Sequence, residues 1–355
     1  MTRFKVLCLD NNHRSNTNLV AGLLSSKYFI EDSESAIAFF GTLFLLASGL
    51  DLNFNLDIVS QRKNKKTVLI VDYSFEAGFS RLFWESMLED ISRKGINKQN
   101  ILFVLNKSAQ SSFQKTDNVI FCDLFAISCV QRYKESPTIA NAKPLKELPA
   151  KINLLLGKLD KSPRLQLIET FADTVEQEQS LVSLLGYPKT TVRDRLLAYI
   201  EQHQGPLDGV EVLETNDGSS SQGWGSAFVY ENSKVSFVCE THNNDGSCFL
   251  TEKTYRPILN GHPFVIRAGF PAIEYLNNLG FKTFGSVVNE DYDRSVAVTT
   301  SEIKKIIDRA KLLLDNADKV QSIVDHNRTH LLNYGASELQ QLEKTLAKVS
   351  ARAGR

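Results

Sequence analysis

Cysteine is sparse in this sequence and poorly spaced for structural chemistry. The five cysteines, Cys8, Cys122, Cys129, Cys239 and Cys248, are odd in number and show no CxxC pair. That excludes a CxxC-type zinc site and argues against a disulfide framework, leaving buried free thiols in a reducing compartment as the expectation. An excess of one charge sign is also missing. Forty-one Lys plus Arg balance forty-one Asp plus Glu, so no global field draws the molecule towards nucleic acid or anionic lipid. The one dense basic run, Arg62-Lys63-Asn64-Lys65-Lys66, reads as a solvated loop ahead of a strand. No apolar stretch reaches the ~20 residues of a spanning helix. The longest, residues 36–50, contains Gly41, Thr42, Ser48 and Gly49 and is expected to be a helix buried between layers. Met1-Thr2-Arg3 runs straight into a strand pattern, so no leader peptide is expected and the cytoplasm is the expected location. No GxGxxG follows the first strand of either half, which counts against a dinucleotide-dependent dehydrogenase.

What is present is ordinary globular material. The 355 residues, 42% hydrophobic and 23% charged, suffice for two domains, each with its own core. Short apolar runs at residues 4–9, 67–71, 101–105 and 119–122 end in polar turns and alternate with helical periodicity, as at 79–91, where Leu82, Phe83, Met87 and Leu88 are expected to share one face. That alternation predicts an α/β fold with parallel, helix-covered sheets. Residues 134–150 carry Pro137, Pro144 and Pro149 without periodicity and read as a linker. A second alternation follows, with strands expected at 152–156, 210–213, 235–239 and 263–267, and helices at 251–260, 271–279 and 301–349. The expected domains are 1–145 and 146–325, with 326–355 as a C-terminal helical segment.

Chemistry-bearing residues concentrate between 239 and 274. The strand at 235–239 runs into Glu240-Thr241-His242-Asn243-Asn244-Asp245-Gly246, a polar loop at the carboxyl end of a strand, where α/β sheets place ligands. Thr251 is a plausible helix N-cap, and unpaired amides in the turn beyond it would attract an anion. Lys253 supplies a point charge for phosphate, and Glu252 can accept hydrogen bonds from a ribose hydroxyl pair. The competing reading of the same residues is a capped helix with surface charges.

Three runs carry a resemblance: Phe249-Leu250-Thr251-Glu252-Lys253-Thr254-Tyr255-Arg256-Pro257-Ile258, then Gly261-His262-Pro263-Phe264-Val265-Ile266, then Tyr275-Leu276 through Leu279-Gly280-Phe281-Lys282-Thr283-Phe284. They resemble the C-terminal domain of a group of phage and viral glycosyltransferases and, more distantly, the Thr-Glu-Lys region of the α-1,3-fucosyltransferases. The likeness covers residues 249–284, extends loosely over 151–186, and does not reach residues 1–140. It implies a GT-B layout of two Rossmann-like domains facing a cleft, with a nucleotide-diphosphate sugar held in the C-terminal one. It implies no essential metal and no cofactor, the leaving diphosphate being neutralised by protein cations such as Lys253 and Arg256 and by helix N-termini. Apart from the resemblance, Glu240 and His242 in the polar loop are candidate donor contacts, His242 being otherwise a solvated loop residue. Asp291-Tyr292-Asp293 has the spacing of a metal motif but reads as a loop. The turn Gly157-Lys158-Leu159-Asp160-Lys161-Ser162-Pro163-Arg164 offers Lys158 and Arg164 as a second phosphate contact or, equally, a solvated basic turn; Gly157 and Asp160 depart from the Arg-rich pattern of those proteins.

The base for the acceptor hydroxyl is expected in the N-terminal half, as a carboxylate or His at a strand end. Asp10, His13, Asp72 and Glu76 qualify, with Asp72 and Glu76 preferred because they close and follow the buried run 68–72; an Asp in that position also commonly caps a turn. Residues 215–226 form a Gly/Ser-rich stretch holding Trp224, either a lid that stacks on a ligand or a surface loop. The expected function is transfer of a sugar to a hydroxyl, on a glycan or on a hydroxymethylated base in DNA. The rival expectation is a non-catalytic nucleotide-binding or assembly protein of the same fold.

Overall fold

The computed structural model describes residues 4–8, 29–31, 37–41, 68–74, 81–93, 95–113, 118–135, 139, 142–150, 152–156, 212–214, 230–240, 248–268, 271–290 and 300–353. These fall into two compact units. The first takes described residues from Met1–Gln131 and Asn333–Arg355, the second those from Arg132–Ser220 and Trp224–Leu332.

Among the described residues six strands build the sheet of the first unit: β1 Phe4–Cys8, β2 Phe29–Glu31, β3 Ile37–Gly41, β4 Val68–Tyr73, β5 Ile101–Asn106 and β6 Val119–Cys122. They lie in the order β2-β1-β3-β4-β5-β6, and every pairing is parallel. The order reverses between β1 and β3, as in doubly wound sheets. The strand at Ile37–Gly41 corrects the first part of the helix expected over residues 36–50; residues 42–50 lie outside the described residues. Hydrogen-bonded to β1 on one side and β4 on the other, it is an interior parallel strand. Such strands read as unbroken apolar runs and so mimic a buried helix.

Helix α1, Arg81–Arg93, lays Trp84, Met87 and Ile91 against Leu69, Val71, Phe103 and Leu105. The 3–4 residue spacing of these three defines the buried face. Leu82, expected on that face, is 79% exposed. The indole of Trp84 takes the core position instead, edge-on to Phe103 and Phe113 at ring distances of 6.2 and 5.8 Å. Helix α2, Leu124–Glu135, starts one residue after β6. Asp123 bridges the junction by accepting the Ala126 amide at 3.0 Å on its carboxylate, the bond of an N-cap.

The second unit holds β7 Ile152–Leu156, β8 Val212–Glu214, β9 Val235–Cys239 and β10 Phe264–Arg267, all parallel, in the order β10-β9-β7-β8. Its helices are α3 Glu252–Asn260, α4 Ala272–Asn278 and α5 Thr300–Asp315. Helix α6, Gln321–Ala353, belongs to the second unit as far as Leu332 and to the first from Asn333. The proline-bearing stretch read as a linker is partly embedded: Leu145 and Leu148 are buried, and the Leu145 amide donates to Gln321 Oε1 at 2.8 Å. The turn after α4 is gripped by α6, with Asn327 bonded to both the amide and the carbonyl of Lys282 and His330 to the Leu279 carbonyl. No helix among the described residues is long and apolar enough to cross a membrane.

Candidate functional site

Helix α3 begins and ends by the expected chemistry. Thr251, in extended backbone, is the N-cap and accepts the Lys253 amide; Gly261 closes the helix in the left-handed region at φ 74°, which glycine adopts without steric cost. What fixes the N-terminal end lies outside the helix. Glu240, the residue after β9, is fully buried and its carboxylate accepts three bonds: from the Thr251 amide at 2.9 Å, the Thr251 hydroxyl at 2.6 Å and the Thr254 hydroxyl at 2.6 Å. Because β9 is an interior strand of its sheet, this carboxylate sits at the carboxyl edge where α/β sheets bind ligands.

Lys253 is not a solvent-pointing surface lysine. Its side chain is 12% exposed, with Nζ 3.1 Å from Glu252 Oε1 and 3.8 Å from Glu240 Oε2; it also donates to the Thr251 hydroxyl at 3.0 Å. Arg256, one turn on, is buried, with Nη2 3.9 Å from the same Glu252 oxygen. Burial pushes the Lys253 pKa down, but Glu252 and Glu240 outweigh it and the net direction is upward. For Glu252, burial pushes up while Lys253 and Arg256 pull further down, and the net direction is downward. Two carboxylates thus face two cations, and the cluster is formally neutral.

This geometry corrects one part of the anion-site expectation. The amides of Thr251, Lys253, Thr254 and Tyr255 all have partners inside the protein, so the helix end does not offer a row of unpaired donors, and its resident anion is Glu240. What it offers is an ammonium and a guanidinium, both tethered to Glu252, whose side chain at 23% exposed is the most accessible of the four. Thr254 was not singled out from sequence, although its i+3 spacing from Thr251 places both hydroxyls on one helix face.

In the first unit, Asp72 is the penultimate residue of β4 and is 2% exposed. Its Oδ1 accepts the Ser74 amide at 3.1 Å and hydroxyl at 2.5 Å, the geometry of a turn-forming aspartate. Burial, partly opposed by those bonds, raises its pKa to about 6. Further polar residues at the same sheet edge escaped the sequence reading. Glu338 of α6 accepts from Lys107 Nζ at 2.5 Å and from the Asp123 amide at 3.1 Å, and Tyr334 donates to Asp123 Oδ2 at 3.4 Å. Cys122 lies among these acids. Burial first, then Asp72, Glu338 and Asp123, push its thiol well above the usual range. Cys122, Cys129 and Cys248 are buried thiols.

Asp10, His13, Glu76, Lys158, Arg164, Trp224, His242, Asp291 and Asp293 lie outside the described residues. The structure therefore brings together Glu240, Thr251, Glu252, Lys253 and Arg256, and sets Asp72 in the other unit. Among the described residues no group of three or more His, Cys, Asp or Glu is arranged to hold a metal ion. No protein-family model and no curated protein matches the chain.

Proposed function

We propose that the chain is a glycosyltransferase of the GT-B kind, moving a sugar from a nucleotide-diphosphate donor to a hydroxyl acceptor. The observation that carries this reading is the pair Lys253 and Arg256, both largely buried yet joined to the most accessible acid of the cluster, beyond the carboxyl end of a parallel strand. A buried ammonium and guanidinium held in place are suited to charge that develops late. As the anomeric C–O bond breaks, negative charge collects on the departing diphosphate, and prearranged cations in a water-poor setting stabilise it without reorganising. The phosphate reaches Lys253 by displacing Glu252, which is then free to meet the ribose hydroxyls. Lys158, Arg164 and His242 are proposed as further donor contacts.

Asp72 or Glu76 takes the acceptor proton. A carboxylate with a pKa of about 6 is poised for that work near neutral pH. The acceptor is a glycan hydroxyl or a hydroxymethylated base in duplex DNA, and the reaction takes place in the cytoplasm. The test is Lys253→Met assayed with a panel of sugar nucleotides, against glycans and against modified and unmodified duplex. A loss of roughly 10²-fold or more in turnover with an intact fold is expected, the scale of removing one transition-state donor; unchanged turnover would sink the assignment. The formal neutrality of the cluster favours a second reading, a nucleotide-binding protein without catalysis. Thermal stabilisation by nucleoside diphosphates with no turnover of any sugar nucleotide would single it out.

A further inference from the structure

We propose that Glu240 is a positioning residue whose buried carboxylate fixes the Lys253 ammonium at the first turn of α3. The sequence alone places Glu240 among the donor contacts, but its side chain has no exposure and its oxygens are occupied by Thr251 and Thr254. It therefore acts through its neighbours. A buried carboxylate persists only when hydrogen bonds and a counter-charge compensate its lost hydration, and here Thr251, Lys253 and Thr254 at the start of α3 supply both. Lys253 is bound to Glu240 twice over: through space at 3.8 Å, and through the Thr251 hydroxyl, which accepts from Lys253 Nζ and donates to Glu240.

Among the described residues the charged groups facing Lys253 are Glu240 from the end of β9 and Glu252 and Arg256 from its own helix. Glu252 is the one that moves aside when phosphate arrives, so Glu240 is the counter-charge that stays. Without ligand, deprotonation of Lys253 is opposed by Glu252 and Glu240 together; with phosphate bound, Glu240 remains. The inference rests on the glycosyltransferase reading only in giving Lys253 a diphosphate to meet.

The conservative variant Glu240→Gln separates charge from scaffold, because an amide oxygen can still accept from the Thr251 amide and the Thr254 hydroxyl while the negative charge is gone. In full-length protein with ¹³C-methylated lysines, the Lys253 signal, assigned by its loss in Lys253→Arg, is titrated without ligand between pH 8 and 11. The wild-type midpoint is expected above that of the exposed lysines, and Glu240→Gln is expected to lower it by about one unit or more, the effect of an opposite charge at this distance. An unchanged midpoint overturns the proposal. If Glu240→Gln does not fold, a wild-type midpoint at or below that of exposed lysines overturns it equally. UDP and GDP binding is measured alongside. Should wild type bind neither, the enzymatic reading fails while the titration still decides the role of Glu240. If wild type binds, Glu240→Gln must weaken binding and move its alkaline limb to lower pH, and identical profiles overturn the proposal.

Discussion

Gly335 lies within α6 where that helix meets α2 in the first unit. A β-carbon there would overlap the Ala126 carbonyl oxygen and sit 2.8 Å from its carbon and 2.8 Å from Val130 Cγ2. The first two contacts are backbone inside a helix, so no rotamer change relieves them. Restoring van der Waals distance requires the helices to separate by about 1 Å. That displacement would stretch the neighbouring bonds of Glu338 to Lys107 and to the Asp123 amide, now 2.5 and 3.1 Å. Overpacking of this kind costs about 1–3 kcal/mol, and the backbone partners and the polar bonds place Gly335→Ala at the upper end. Alanine returns about 1 kcal/mol of helix propensity. The expected net loss is therefore about 2 kcal/mol, or roughly 1 M in the urea midpoint for a slope near 2 kcal/mol/M. The reporter is Trp84, buried in the core of the same unit, in a Trp224→Phe background that removes the other of the two tryptophans. If propensity alone mattered, the variant would be more stable than the parent; a midpoint that holds or rises refutes the close-packing argument.

Two buried titratable groups make opposite pH predictions. Asp72 has its pKa raised from 3.8 to about 6, so between those values the folded state holds more protons than the unfolded one, and stability falls as pH rises through that window. Asp72→Asn is expected to flatten this slope and raise the urea stability of the first unit at pH 7 by about 2–3 kcal/mol, read from Trp84 fluorescence; an unaltered pH slope would contradict it. His262 has its pKa lowered from 6.5 to about 4 by burial, opposed by its bond to the Tyr230 carbonyl. Here the unfolded state holds more protons, so stability is lost as pH falls from 6.5 towards 4, by about 3 kcal/mol in all. Protection factors of the β9 and β10 amides, each rate taken relative to the intrinsic rate at that pH, should fall over that range in wild type and much less in His262→Gln. An equal fall in both would remove His262 as the cause.

Much of the architecture was legible because parallel strands are short apolar runs bounded by polar turns. The segments at 101–106, 119–122, 152–156 and 235–239 needed nothing more. Helix α3 was legible from its ends, Thr251 and Gly261, where local backbone chemistry decides. The strand at Ile37–Gly41 was hidden because an interior parallel strand is an unbroken apolar run without the two-residue alternation. Helix α2 was hidden because one residue, Asp123, separates it from β6, merging the two into a single apolar stretch. At the candidate site the sequence named the cluster around Lys253 but not its internal balance. Whether Glu240 faces ligand or protein depends on how β9 and α3 abut, and no local pattern encodes that. Glu338 is the extreme case, since its partners Lys107 and Asp123 are 231 and 215 residues away.

That separation has a consequence for biosynthesis. The loops after β5 and β6 are stitched by a carboxylate that leaves the ribosome only after all of residues 132–332 have emerged. The sheet-bearing part of the first unit therefore waits, with Lys107 and the start of α2 lacking their Glu338 partner, while the second unit is translated. Long-range closure of this kind is slow and leaves apolar surface open in the interim. Nascent chains arrested before residue 338 should be more protease-sensitive at 107–123 than finished chains, which makes the last helix the step that seals the first domain.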